Sequence, residues 1–77
     1  MPIYIYDILA PNNKSYNRIK RMFYYYLTQI QTPEVKFITK STLFVPKNLE
    51  SLFDGFFMKW KNKLVVYKIF SEEFVKF

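Results

Sequence analysis

The run VKFITKSTLFV, residues 35–45, predicts two consecutive strands that meet at Ser41. Aromatic and β-branched residues dominate on both sides of this serine, which is typical of extended chain. Pro33 and Pro46 bound the run, and proline ends regular structure because it lacks a backbone N–H donor. A strand pair in the middle of the chain fixes the order in which the remaining elements must be arranged.

An amphipathic helix is predicted on each side of this strand pair. Both helices carry apolar residues at the spacing of a single helical stripe, with Ser15 and Asn48 as the predicted N-caps. The first stripe is Ile19, Met22, Phe23, Tyr26, Leu27 and Ile30, and the second is Leu49, Leu52, Phe53, Phe56, Phe57 and Trp60. The lone glycine, Gly55, falls inside the second helix, where we expect it to permit close helix packing.

Two further strands are predicted towards the ends of the chain, over residues 3–9 and 64–70. A short extra strand is predicted over residues 74–77. The first of these strands is predicted to be buried on both faces, because its residues are apolar or aromatic apart from one acid. The resulting order βαββαβ predicts an α+β, ferredoxin-like fold that occupies residues 1–77 as one domain.

Right-handed crossovers place both helices on one face of such a sheet and leave the other face bare. The helix-facing set of the first strand is either Ile3, Ile5 and Asp7 or Tyr4, Tyr6 and Ile8, and neither set is polar enough to sit in water. Apolar residues make up 51% of this short chain and aromatic residues 22%, more than a small core easily hides. We therefore expect a homodimer packed through the bare sheet face.

Several function classes are excluded by composition. Without cysteine or histidine the chain has no disulfides, no Cys/His zinc site and no histidine-based catalytic triad. With one glycine it has no phosphate-binding glycine loop and no glycine-containing RNA-recognition motif. The sequence shows neither a secretory signal nor an apolar run long enough to span a membrane, so we expect a soluble, cytoplasmic protein.

A large excess of positive charge points to a polyanionic partner. Twelve Lys and Arg residues against six Asp and Glu residues give a formal net charge of +6, and residues 8–33 contain no acid. Nucleic acid is the expected partner, held by phosphate contacts without sequence readout, although the same charge would also keep an aromatic-rich protein soluble. Tyr24 and Tyr25, on the polar side of the first helix, are the candidate exposed aromatic residues. The predicted phosphate-binding residues are Lys14, Arg18, Arg21, Lys36, Lys40, Lys59, Lys61 and Lys63.

Asp7 is the candidate residue for chemistry, because it is an acid in an otherwise apolar strand. It either caps the following turn or pairs with a lysine or arginine, or it belongs to a metal or phosphodiester site. One carboxylate does not hold Mg²⁺ firmly, but a twofold axis nearby would supply a second copy.

The order and spacing of these segments resemble the family of CRISPR-associated protein two, the small dimeric subunit of the spacer-acquisition complex, and its type II members in particular. Four segments carry the resemblance: Tyr4-Ile5-Tyr6-Asp7-Ile8, Asn17-Arg18-Ile19-Lys20-Arg21, Thr39-Lys40-Ser41-Thr42-Leu43-Phe44 and Val66-Tyr67-Lys68-Ile69-Phe70-Ser71-Glu72-Glu73-Phe74.

This resemblance implies an architectural homodimer of the antiviral CRISPR system that binds double-stranded DNA. It also implies that the dimer bridges two dimers of the integrase, CRISPR-associated protein one, and that its terminal strand can join the partner's sheet. Asp7 matches the family's strand-end aspartate, commonly assigned to Mg²⁺ binding and phosphodiester cleavage. A Mg²⁺-dependent endonuclease acting on DNA or RNA, and a related toxin-like ribonuclease, are the alternative functions.

Overall fold

Residues 1–71 are described by a computed structural model, in which two helices lie against a four-stranded sheet. The elements, in chain order, are β1 (Pro2–Ile8), α1 (Asn13–Ile30), β2 (Lys36–Thr39), β3 (Thr42–Phe44), a single 3₁₀ turn (Lys47–Leu49), α2 (Glu50–Lys59) and β4 (Leu64–Phe70). The predicted strand pair around Ser41 and the predicted order of elements are confirmed. The extra strand predicted over residues 74–77 lies outside the described residues.

The strands lie in the order β2-β3-β1-β4, and each neighbouring pair is antiparallel. β1 pairs with β4 over its whole length, from Pro2 opposite Phe70 to Ile8 opposite Leu64. Order and pairing together confirm the α+β class and are consistent with a ferredoxin-like fold.

One face of the sheet carries the core, which is rich in aromatic rings. Tyr4 and Tyr6 of β1 are buried, and their rings lie 4.9 Å from those of Phe57 and Phe23 respectively. Phe23 also meets Trp60 edge to face at 5.6 Å, so rings from both helices join over the strand. Of the two candidate sets in the first strand, Tyr4, Tyr6 and Ile8 therefore face the helices.

The opposite face of the sheet, here called the open face, is apolar and accessible. Because directly paired residues share a face, two rows run across it: Ile3 with Phe44 and Ile69, and Ile5 with Thr42 and Tyr67. Ile5 is 36% exposed, Ile69 47% and Tyr67 66%. Within one copy of the chain the helices cover one side of the first strand, so the predicted burial of its other face depends on a partner and stays a prediction.

Both predicted N-caps are wrong, by three residues for α1 and by one residue for α2. α1 begins at Asn13, and its cap is Asn12, whose side-chain Oδ1 accepts a hydrogen bond of 2.8 Å from the backbone N–H of Ser15. Asn48 lies inside the 3₁₀ turn that leads into α2, and no side chain caps that helix. A 3₁₀ turn satisfies backbone groups by shorter-range bonds, so it needs no side-chain acceptor.

The predicted apolar stripes are only partly buried. Phe23 and Leu27 are the buried residues of α1, whereas Met22 and Tyr26 are exposed, as is Leu52 of α2. Met22 and Tyr26 lie on the α1 side of a groove whose α2 side is formed by Phe56 and Trp60. The stripe of α1 is therefore wider than the sheet and the neighbouring helix can cover.

Gly55 occupies an exposed position in α2, where a Cβ atom would meet nothing within 4 Å among the described residues. The expectation that this glycine permits close helix packing is wrong. Gly55→Ala is expected to raise the free energy of unfolding by about 1 kcal/mol, because alanine loses less backbone entropy in a helix. Urea denaturation followed by circular dichroism checks this, and a lower unfolding midpoint would contradict the open surroundings of Gly55.

Candidate nucleic-acid interface

The exposed side of α1 carries the first group of predicted phosphate-binding residues. Lys14, Arg18 and Arg21 are all exposed, and the helix contains no acidic residue. Arg18 and Arg21 line a shallow depression together with Met22, Tyr25 and Tyr26. Helical spacing accounts for this arrangement, since residues three, four and seven apart share one side of a helix.

A second group of cations borders the same region from the other helix. Lys59 ends α2 and Lys63 follows it, and both line the groove between the helices opposite Met22 and Tyr26. The Nζ atom of Lys63 lies 5.6 Å from the ring centroid of Trp60, within the range of a cation–π contact. We call the set Arg18, Arg21, Lys59 and Lys63 the helix-layer basic surface.

The remaining predicted cations lie elsewhere. Lys36 is in β2 and pairs with Phe44, which places it on the open face. Lys40 lies in the turn between β2 and β3, beyond a register shift. Lys61 lies with Asp54 and Lys68 along a depression on the β4 side of α2. The eight predicted residues therefore do not form one surface.

No ion pair within residues 1–71 neutralises the helix-layer basic surface. Within residues 1–71 the ion pairs all belong to Lys68, which contacts Glu50 and, at 2.9 Å, Asp54. The hydrogen bond from Lys68 to Glu50 is the main cause that raises the pKa of Lys68. Burial tends to raise the pKa of Asp54, but hydrogen bonds from Tyr4 and Lys68 and the charge of Lys68 lower it below its usual value. Glu50 and Asp54 therefore pair with Lys68 and do not neutralise the helix-layer basic surface.

Sequence reasoning missed Lys20, which lines one depression on α1 together with Arg21. Its Nζ atom lies 6.0 Å from the ring centroid of Tyr16, one helical turn earlier. Lys20 and Lys40 line a depression between α1 and the β2–β3 turn. The spacing of four residues between Tyr16 and Lys20 was the available signal.

Two tyrosines hold the turn that carries Lys40. The hydroxyls of Tyr6 and Tyr24 lie 3.0 Å apart, within hydrogen-bond distance of each other, and they lie 3.1 and 2.8 Å from the carbonyl oxygen of Lys40, which accepts from them. Burial, followed by the hydrogen bond with Tyr24, raises the pKa of Tyr6. Tyr24 is therefore a half-buried structural residue, whereas Tyr25 is exposed as predicted.

Asp7 lies near the end of β1, opposite Val65 of β4, and alternates with the buried Tyr6. Its side chain is exposed, and in the described part of the chain it neither caps the following turn nor forms an ion pair. The predicted structural roles of Asp7 are therefore not seen here. Residues 1–71 also hold no cluster of three or more possible metal ligands, so this part of one copy does not by itself form a Mg²⁺ site.

Comparison with known proteins identifies no relative. No family model matches the chain, and neither a curated protein nor a solved structure matches it. The resemblance to CRISPR-associated protein two therefore stays a prediction. Neither α1 nor α2 combines the length and the apolar character that a membrane-spanning helix requires.

Proposed function

We propose that this chain is an architectural DNA-binding subunit that holds the phosphate backbone of a duplex on its helix-layer basic surface. The observation that carries the proposal is the set of Arg18 and Arg21 on α1, Lys59 at the end of α2 and Lys63 in the turn after it, all exposed and free of ion pairs within residues 1–71. Cations that are not neutralised locally release the counterions of a phosphate backbone when they bind it.

Assembly is the second part of the proposal: two copies form a ferredoxin-like homodimer through their open faces. The exposed Ile5, Ile69 and Tyr67 support this arrangement, because apolar surface of this kind is usually covered by a partner. Packing through the open faces leaves both helix layers in solvent. Dimerisation would therefore not cover the helix-layer basic surface, and each dimer would offer two copies of it.

The cellular role follows from the resemblance to CRISPR-associated protein two. We propose that the dimer bridges dimers of the integrase, CRISPR-associated protein one, with double-stranded DNA across it, in the cytoplasm. Such a role needs rigid placement and phosphate contacts and needs no base readout, which agrees with a surface made of arginine and lysine.

Salt dependence tests the proposal. The logarithm of the affinity for a blunt DNA duplex is expected to fall linearly with the logarithm of the salt concentration, with a slope of about −3 to −4 for four phosphate contacts. Fluorescence anisotropy at a series of salt concentrations measures the slope. The variant Asp7→Asn serves as a control. It should leave the salt slope unchanged, because Asp7 lies in β1 and does not belong to the helix-layer basic surface. An affinity that does not change with the salt concentration, or no detectable binding, would contradict the proposal.

A Mg²⁺-dependent endonuclease is the second candidate, favoured by the exposed carboxylate of Asp7. Because residues 1–71 of one chain do not supply enough ligands, such a site would use a second Asp7 from the partner protomer. Asp7→Asn separates the two candidates: loss of Mg²⁺-dependent cleavage with unchanged duplex binding would support the endonuclease, and unchanged cleavage would exclude Asp7 from it.

A further inference from the structure

Two neighbouring tyrosines of α1 present their rings to solvent beside the arginines. Tyr25 is 62% exposed and Tyr26 49% exposed, although Tyr26 belongs to the predicted apolar stripe. Their ring centroids are 5.2 Å apart and their planes meet at 81°. Two rings at a right angle form a corner, in which a flat group stacked on one ring meets the other edge to face. We call this pair the tyrosine corner.

The tyrosine corner is anchored to the core from one side. The ring of Tyr26 lies 6.2 Å from that of Trp60, which is buried and packs edge to face on Phe23. A ring held in this way loses little conformational freedom when a ligand stacks on it. Such preorganisation favours binding because the ordering cost has already been met in folding.

Arg18 and Arg21 line the same depression as Tyr25 and Tyr26. They precede Tyr25 by seven and four residues, which places them on its side of the helix. A guanidinium binds phosphate through two parallel hydrogen bonds and also stacks on flat π systems. Flat aromatic faces next to unpaired guanidinium groups match the two parts of a nucleotide, its base and its phosphate.

We propose that the tyrosine corner and the two arginines form a site for an unpaired nucleotide, with the base stacked on Tyr25 and meeting Tyr26 edge to face, and the phosphate held by Arg18 and Arg21. The inference rests on the proposed function and deepens it, because it adds unpaired bases to the ligand. A blunt duplex keeps its bases stacked inside and offers the arginines phosphate alone, so the tyrosine faces gain a partner only from a single-stranded segment or a frayed end.

Variants of Tyr25 test the site on the full chain. Tyr25→Leu removes the aromatic face while keeping a good helix former, and Tyr25→Phe keeps the face and removes the hydroxyl. Tyr16→Leu is the matched control, since Tyr16 is an exposed tyrosine of the same helix outside the corner. The probes are a short oligothymidylate and a blunt duplex of equal length, both measured by fluorescence anisotropy.

Tyr25→Leu is expected to weaken oligothymidylate binding about tenfold, the effect of one lost base stack, and to leave duplex binding unchanged. Tyr25→Phe and Tyr16→Leu are expected to bind both probes like the unaltered chain. Equal affinity of Tyr25→Leu and Tyr25→Phe for the oligothymidylate would overturn the inference and leave the proposed function intact. Polyglutamate serves as a third probe: if the unaltered chain binds it and Tyr25→Leu weakens that binding as much as it weakens oligothymidylate binding, the inference is overturned in favour of an acidic peptide. Failure of the unaltered chain to bind either nucleic acid would overturn both proposals.

Discussion

Ile5→Lys is expected to sediment as a monomer at the chain mass of 9.5 kDa, while the unaltered chain sediments at twice that mass. Ile5 lies in β1 and pairs with Thr42 on one side and Tyr67 on the other, so it sits inside the open face. In a dimer packed through that face a lysine here would lose its hydration, and its direct cross-strand neighbours Thr42 and Tyr67 offer it no carboxylate. The dissociation constant of the dimer should rise by about a hundredfold or more.

The Ile5→Lys protomer should still fold, because the side chain of Ile5 points away from the core that contains Tyr4 and Tyr6. Met58→Lys is the matched control: it places the same charge on an exposed apolar residue of α2, away from the open face. Sedimentation velocity at several protein concentrations separates the outcomes. A dimer that persists in Ile5→Lys, or one that Met58→Lys disrupts equally, would show that another surface forms the interface.

The double variant Arg18→Glu/Arg21→Glu is expected to lose about a hundredfold in duplex affinity at low salt. Each substitution removes a phosphate contact and adds a charge that repels the backbone, and the salt slope should become shallower by about two units. Both residues are exposed and unpaired within residues 1–71, so the fold should tolerate the change. Fluorescence anisotropy over a salt series gives affinity and slope together.

Lys47→Glu/Lys61→Glu is the matched control for net charge. Both double variants lower the formal charge of the chain from +6 to +2, because each substitution removes two units. Lys47 begins the 3₁₀ turn and Lys61 lies on the β4 side of α2, outside the helix-layer basic surface. Equal weakening by the two variants would mean that overall charge, and no particular surface, binds the DNA.

Much of the fold could be predicted from periodicity and punctuation. The strand pair around Ser41, the stop near Pro33 and the last described strand all lie where residue type and spacing place them. Local sequence did not reveal that Asn12 rather than Ser15 caps α1, because several cap-forming residues stand side by side in residues 12–15. Cap choice depends on the backbone angles of the preceding loop, which composition does not encode.

The candidate site was harder to predict than the fold. Spacing along α1 correctly grouped Arg18 with Arg21, since a helix has a fixed period. It could not show that Lys63 faces α1 while Lys61, two residues earlier, faces β4, because that depends on the turn after α2. The exposure of Tyr26 was missed for a related reason: a stripe marks the apolar side of a helix but not how much of it the neighbours cover.

Amide chemical-shift mapping of the isotope-labelled chain with a blunt DNA duplex tests most directly whether the helix layer binds DNA. The largest shifts are expected at Arg18, Arg21, Lys59 and Lys63, with the open-face residues Ile5 and Tyr67 little changed. Shifts concentrated on the open face, or none at low salt, would contradict the proposal that this chain holds DNA on its helices.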